Sequence, residues 1–401
     1  MEKSYIDQNT QKETNLSVVL RTLLNDEKCC TRIQLARETG LAQATVTKIT
    51  TQLIEWGMVC EQETIGTGVG RKAVRLHMNA GNYRVVAIRI NRHYMAGAVY
   101  DMKGRMYDTM RCDISSEEGA VHSFKRLIQE VSALIARSQV PIMSIGVAVP
   151  GPFNYSTGRI TLMSGFPGWS EIDIRGTLND VFQVPVFVEQ DANCGALAEL
   201  WHAHGEPISN MLFVTADRGI GAGLILNSTV YRGQDGFAGE LGHSSINIFG
   251  PRCECGNRGC LELYGSATAL ESAYHQDVFD PVRSNVHDTR IRASQILDLV
   301  RQGDPVACRA YQKTVGYLCF GLVGSINTLN PDTIVFADRM IHGGDLFLET
   351  ANATFKQYLM PEIFGRLRVK ICDLEGDPML LGASVLAYDH MLETPSKYFR
   401  P

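Results

Sequence analysis

Apolar and polar positions follow two regimes along the chain. From Leu16 to Met78 the spacing is mostly helical. Leu16, Val19, Leu20, Leu23 and Leu24 recur on one helical face. Thr31 opens TRIQLARETG, where Ile33, Leu35 and Ala36 are apolar and Gly40 is a stop signal. LAQATVTKITTQLIEWG then predicts another helix, with Val46, Ile49 and Leu53 inward and Gln43, Thr45, Thr47, Lys48, Thr51 and Gln52 outward; Gly57 ends it. MVCEQE and KAVRLHM predict two short strands joined by TIGTGVGR. Two helices joined by a short Gly-containing turn, followed by a hairpin, predict a winged helix-turn-helix. Gln43, Thr45, Thr47 and Lys48 are then the natural base-edge and phosphate contacts, and Arg71 and Lys72 at the hairpin tip are placed to meet phosphates or a minor groove. The competing expectation is a small helical protein-interaction module with an ordinary polar face. Ala42 stands where a capping Ser or Thr would help the second helix start.

From Tyr83 the regime changes. YRVVAIRI, HYMAGAVYD and MYDTMRCDI predict three successive strands, HSFKRLIQEVSALIARS an amphipathic helix, and MSIGVAVP a buried strand. VPVFVEQDAN is a strand ending in acids, and CGALAELWHAHG a helix. MLFVTA, GAGLILN and STVYRG repeat the strand pattern; residues 290–329 and 345–360 are helical and flank strands TIVFA and VKICDL. Strand hairpins followed by helix–strand units, occurring twice, predict a duplicated α/β architecture with a cleft between two lobes.

Composition narrows the function. Hydrophobic residues make up 45% and charged residues 20%, the mix of a soluble globular protein. The net charge is −5, and residues 1–80 hold ten Lys/Arg against nine Asp/Glu, so any nucleic-acid binding must be local. No apolar run approaches the roughly 20 residues of a membrane span, and MEKSYIDQNTQKETN does not read as a secretory signal. Eleven cysteines is an odd count, and Cys112, Cys194, Cys308, Cys319 and Cys372 stand singly in apolar contexts. Both observations point to a cytoplasmic protein with reduced thiols.

Candidate chemistry lies at strand ends and in one cysteine cluster. Asp191, beside Gln190 and Asn193, closes a buried strand and reads equally as a general base for a sugar hydroxyl or as a helix N-cap. DRGIGAG over 217–223 is Gly-rich after a strand, a weak phosphate-loop signal opposed by Asp217. PRCECGNRGCLE over 251–262 holds Cys253, Cys255 and Cys260, with Gly256 and Gly259 letting the chain curl. His243 lies ten residues before Cys253, and the four residues suit tetrahedral zinc. Four protein ligands leave no open position for activated water, so the expected Zn2+ is structural.

Together these residues resemble the ROK family of repressors, open-reading-frame proteins and sugar kinases. The carriers are ELGH…CxCGxxGCxE, VPGP at 149–152, EQDAN, the NP at 330–331 before TIVFA, and GDPMLLGASVLA. The resemblance implies a two-lobed actin/hexokinase-like α/β body behind an N-terminal winged helix-turn-helix. The expected division is a DNA-binding domain over 1–80, a first lobe over 81–192 and a second lobe over 193–401, with a terminal helix near 380–392 packing back on the first lobe. The resemblance makes Asp191 the kinase base, and Glu240, His243 and Glu262 the groups that bond sugar hydroxyls. It also puts Gln190 at a sugar-binding position and Gly165 and Phe166 in a loop at the sugar site. Family kinases carry D-x-G-G-T on the first hairpin; here Arg89-Ile90-Asn91-Arg92-His93 occupies it. The second phosphate loop reads Asp217-Arg218-Gly219-Ile220-Gly221. Arg89 and Arg92 read as surface charges, and no ATP is expected. The expectation is a sugar-responsive regulator, a repressor of carbohydrate genes rather than an enzyme. Its partners are operator DNA and a sugar or sugar phosphate, without a membrane, in a homodimer or homotetramer. The rivals are an active ATP-dependent sugar kinase that also binds DNA, and a regulator sensing a protein partner.

Overall fold

The structure, a computed structural model, describes residues 8–25, 31–63, 74–163, 165–202, 208–278 and 291–399. Helices α1 (Gln8–Asn25), α2 (Arg32–Thr39) and α3 (Gln43–Glu55) precede an antiparallel pair, β1 (Val59–Glu63) and β2 (Val74–Met78). Thr31 closes a capping box on α2: its hydroxyl accepts from Gln34 N at 3.3 Å, and its own N–H donates to Gln34 Oε1 at 2.8 Å. Gly40, left-handed at φ 69°, ends that helix. Ala42 offers α3 no side-chain cap. Leu16, Val19, Leu20, Leu35, Val46 and Leu53 close one core, while Gln43, Thr47 and Lys48 are exposed and Thr45 is half-buried. Arg32 ties the unit together, donating to Thr50 Oγ1 at 2.9 Å and pairing with Glu61 at 2.7 Å. Arg71 and Lys72 lie outside the described residues.

The body is built twice on one plan. Strands β3 (Arg84–Ile90), β4 (Tyr94–Asp101) and β5 (Met106–Asp113) form an antiparallel meander. Helix α4 (Ala120–Ala136) leads to β6 (Ile142–Val149), and a hairpin of β7 (Phe153–Asn154) and β8 (Arg159–Ile160) leads to α5 (Ile174–Phe182). Strand β9 (Val186–Gln190) then pairs parallel to β6, giving the order β5-β4-β3-β6-β9. After α6 (Asp191–Trp201), strands β10 (Met211–Ala216), β11 (Ile220–Leu226) and β12 (Thr229–Val230) form a second meander. Helices α7 (Glu262–Gly265), α8 (Ala267–Val278), α9 (Ala293–Arg301) and α10 (Pro305–Leu329) follow. Strand β13 (Thr333–Ala337), helices α11 (Leu346–Tyr358) and α12 (Pro361–Phe364), and β14 (Arg368–Ile371) complete the order β12-β11-β10-β13-β14. The two sheets match strand for strand.

Helix α13 (Pro378–Glu393) and the short α14 (Pro395–Tyr398) end the chain. Most of α13 is buried, because it packs on β3, β6 and β9 of the first sheet and on α6. A side chain at Gly382 would begin 1.7 Å from Cys194 O, so only glycine lets α13 and α6 touch there. At its far end α13 meets the N-terminal unit. Arg21 pairs with the Asp389 carboxylate and donates to Asp389 O at 3.3 Å, and Ser396 N donates to Glu13 Oε2 at 3.0 Å.

Candidate functional site

A cleft opens between the sheets, where the turn after β3, the ends of β6 and β9, and the loops after β10 and β13 converge. Gln190, Asp191, Glu240, His243 and Glu262 line it, together with Arg89, Asn91, Arg92 and His93 of the first phosphate turn and Asp217 to Gly221 of the second.

Asp191 is the first residue of α6, not its cap; Gln190 holds the cap position, and among the described residues the Asp191 carboxylate accepts only from its neighbour Ala192 N at 2.8 Å. The carboxylate is therefore left facing the cleft. Burial pushes its pKa up to about 6; Arg89 opposes the shift, and Asp338 and Asp377 add to it. Glu240 is pushed up to about 7 by burial, then by the negative charges of Asp191 and Glu262. Near neutrality its carboxyl can both donate and accept hydrogen bonds, which suits a sugar hydroxyl. Gln190 donates from Nε2 to Glu240 Oε1 at 2.9 Å, while its Oε1 is buried with no partner among the described residues. A buried acceptor of this kind is costly unless a ligand donor meets it.

The cysteine cluster adjoins the cleft through His243, its one member that lines it. One ligand atom from each of His243, Cys253, Cys255 and Cys260 falls within 4.8 Å of the others. Cys255 and Cys260 sulfurs stand 3.6 Å apart, and Cys253 Sγ lies 3.7 Å from His243 Nδ1. Tetrahedral zinc with bonds of about 2.3 Å to sulfur sets such edges near 3.8 Å, so the donor set fits that ion. Gly259, at φ 65°, passes so close to the chain that a side chain would begin 1.8 Å from Asn247 O. With Nδ1 toward the thiols, His243 keeps Nε2 for the cleft. Glu262 sits against the cluster, 3.6 Å from His243 Nδ1 and 3.4 Å from Cys253 Sγ.

Arg89 corrects the expectation of a surface charge. It is 5% exposed and pairs with Asp377 at 2.8 Å and Asp338 at 3.3 Å. Burial works against its charge, and Asp377 followed by Asp338 outweighs it. Asp338 has φ 72°, a costly conformation for a residue with a side chain. In the turn after β3, Asn91 Oδ1 accepts from the N–H groups of His93 and Tyr94, both at 2.8 Å. The amides of His93 and Tyr94 are thus bonded within the turn. In the facing loop Asp217 pairs with Arg339 at 2.5 Å.

A family model of known proteins matches residues 85–390, which contain the whole cleft; its description is the ROK family. The chain belongs to the ROK family. The xylose repressor of Caldicellulosiruptor bescii is 28% identical over 391 residues, covering 96% of this chain and 98% of that one. The DNA-binding transcriptional dual regulator NagC of Escherichia coli is 27% identical over 341 residues, covering 84% and 83%. Among solved structures, a ROK family transcriptional regulator described as a homolog of the E. coli MLC protein superposes with a TM-score of 0.82 at 25% identity, over 96% of this chain and 97% of that one. A ROK family glucokinase from Streptomyces griseus shares the body fold, with a TM-score of 0.67 over 76% of this chain.

Two residues carried over from the ROK resemblance stand apart from this cleft. Gly165 and Phe166 line a separate depression with Trp169 and Glu254, and the Phe166 ring is buried against Trp169, 5.8 Å between centroids. Packing against that ring, rather than the cleft, takes up its apolar face. Sequence reasoning also missed Asp338 and Asp377. Asp338 follows a buried strand as Asp191 does, so the same strand-end rule points to it. Asp377 caps α13, accepting from Met379 N at 3.0 Å and Leu380 N at 3.2 Å, and the D-P pair before an apolar run is its signal.

Proposed function

We propose that the protein is a sugar-responsive DNA-binding repressor of carbohydrate genes. Residues 1–80 serve as the operator-binding domain, and lobes over 81–192 and 193–401 serve as the effector-binding body. One observation carries this: α13 runs from the cleft, where Asp377 caps it and holds Arg89, to the helix-turn-helix unit, where Asp389 holds Arg21. A ligand that changes the angle between the lobes moves this helix, and α1 moves with it. Coupling of about 1–3 kcal/mol is ordinary for such a two-state device. The printed names of the repressors above agree with this role.

Gln190, Asp191, Glu240, Glu262 and His243 Nε2 receive the sugar hydroxyls. His243, Cys253, Cys255 and Cys260 hold a structural Zn2+, which when bound fixes the direction and tautomer of the His243 ring. Gln43, Thr45, Thr47 and Lys48 meet DNA, with Arg71 and Lys72 following the backbone or minor groove. Two copies bind a palindromic site, since two-fold symmetry matches it. Phosphoryl transfer is lost: Arg89 occupies the position of the family's phosphate-loop acid, and Asn91 takes up the amides of that turn. The kinase reading keeps one supporting observation, Asp191 at the strand end with its raised pKa. Purified protein given ATP and a hexose and pentose panel decides between them. We expect no sugar-dependent ADP release, alongside protection of a site on genomic DNA; turnover at ordinary kinase rates would overturn the repressor function.

A further inference from the structure

Most charges around the cleft are paired off. Arg89 is taken by Asp377 and Asp338, and Arg339 by Asp217. What remains falls into two groups. The carboxyls of Asp191, Glu240 and Glu262 line one part, suited to hydroxyls. Arg92 and Arg218 line the other, and neither has a hydrogen-bond or ion-pair partner among the described residues. His93 lines the same cleft, and burial, then the charge of Arg218, lowers its pKa, with Asp217 opposing and Arg339 and Arg92 adding to the shift. Two guanidiniums without an ion-pair partner among the described residues make a cationic end of the cleft. Guanidinium is the side chain that binds carboxylate and phosphate in bidentate fashion.

The two groups meet at Gly219. The point where a side chain would begin there is 3.4 Å from Arg92 Nη2 and 3.6 Å from Glu262 Oε2. A molecule the size of one sugar ring can touch both. We propose that the effector is an anionic monosaccharide, carrying a carboxylate or a phosphate that Arg92 and Arg218 hold while its hydroxyls bond Glu240, Glu262 and Gln190. This deepens the sugar-responsive function proposed above and rests on it. A nucleotide fits poorly, because the amides of the first phosphate turn are bonded to Asn91 and Arg89 is engaged by two carboxylates.

The test uses the full chain and a matched panel: D-xylose, D-glucose, D-galactose and N-acetyl-D-glucosamine, the uronates of glucose and galactose, and the terminal phosphate of each sugar. Operator affinity and melting temperature are measured for the wild type and for the Arg92→Gln/Arg218→Gln variant. We expect at least one charged sugar to weaken operator binding tenfold or more beyond its neutral parent. That preference should vanish in the double variant, whose operator affinity without sugar is retained. A uronate response against a phosphate response identifies the anion. The proposal is overturned if a neutral sugar acts as strongly as its charged forms, in which case the sugar-responsive function still stands. It is also overturned if the variant keeps the preference, or if inorganic phosphate alone gives the same response. Silence from every sugar, charged and neutral, overturns this proposal and the sugar-responsive function together.

Discussion

Two charges of opposite sign face each other across the floor of the cleft, Arg89 and Asp191. Arg89 is satisfied by two carboxylates, whereas Asp191 is desolvated without a direct ion pair among the described residues. The folded-state pKa of Asp191 is raised, so its charged form costs stability. That cost is fully present above about pH 6 and fades as the pH falls toward the unfolded value of 3.8. Asp191→Asn is therefore expected to stabilise the ligand-free protein at pH 7.5 by about 1–3 kcal/mol and to do nothing near pH 4. Denaturant melts at the two pH values check this; equal shifts at both would contradict it. The cysteine cluster was legible from sequence because its spacing is local, with three sulfurs inside eight residues. Cys255→Ser is expected to lose bound zinc and the sugar-dependent melting shift together, with the helix-turn-helix still folded by DNA binding. A normal sugar shift in zinc-free protein would contradict the role given to His243. Arg89 was illegible for the opposite reason. Its partners lie 249 and 288 residues away in sequence, and only the closure of the two lobes brings them together.

At the level of elements, long periodic segments read correctly. The meanders β3-β4-β5 and β10-β11-β12, helices α3, α4, α10 and α11, and the buried strands β6 and β9 all follow their patterns. Helix α6 begins at Asp191, three residues before the Cys194 where the apolar pattern starts, which is why the capping role for Asp191 is not realised. The pairs β7 and β8 were missed because two residues each carry no period, and α5 because its nine residues compete with loop patterns. Helix α13 was legible as a helix, but its mechanical place was not. Its contact with α1 depends on Arg21 and Asp389, about one-third exposed each. Such a pair contributes little to stability, about 1 kcal/mol or less. Arg21→Ala is accordingly expected to leave melting almost unchanged while cutting the effect of sugar on operator affinity several-fold. An unchanged sugar effect, measured by fluorescence anisotropy, would rule out α13 as the route.

For the whole molecule, shape and charge act together. The net charge of −5 gives no general attraction to DNA, so operator binding must come from local cations. Such binding weakens steeply with salt, as counter-ions are released from each neutralised phosphate. In the function proposed above, pairing two copies would multiply those contacts. Helix α13 packs on the first sheet and on α6, and it reaches the N-terminal unit through Asp389 and Arg21. In the function proposed above, a sugar in this cleft controls DNA binding. The decisive measurement is the dissociation constant for operator DNA at fixed salt, with and without each member of the sugar panel. One sugar is expected to raise that constant at least tenfold in the wild type and to leave it unchanged in Glu240→Ala. An operator affinity indifferent to every sugar, or a response that survives Glu240→Ala intact, would contradict it.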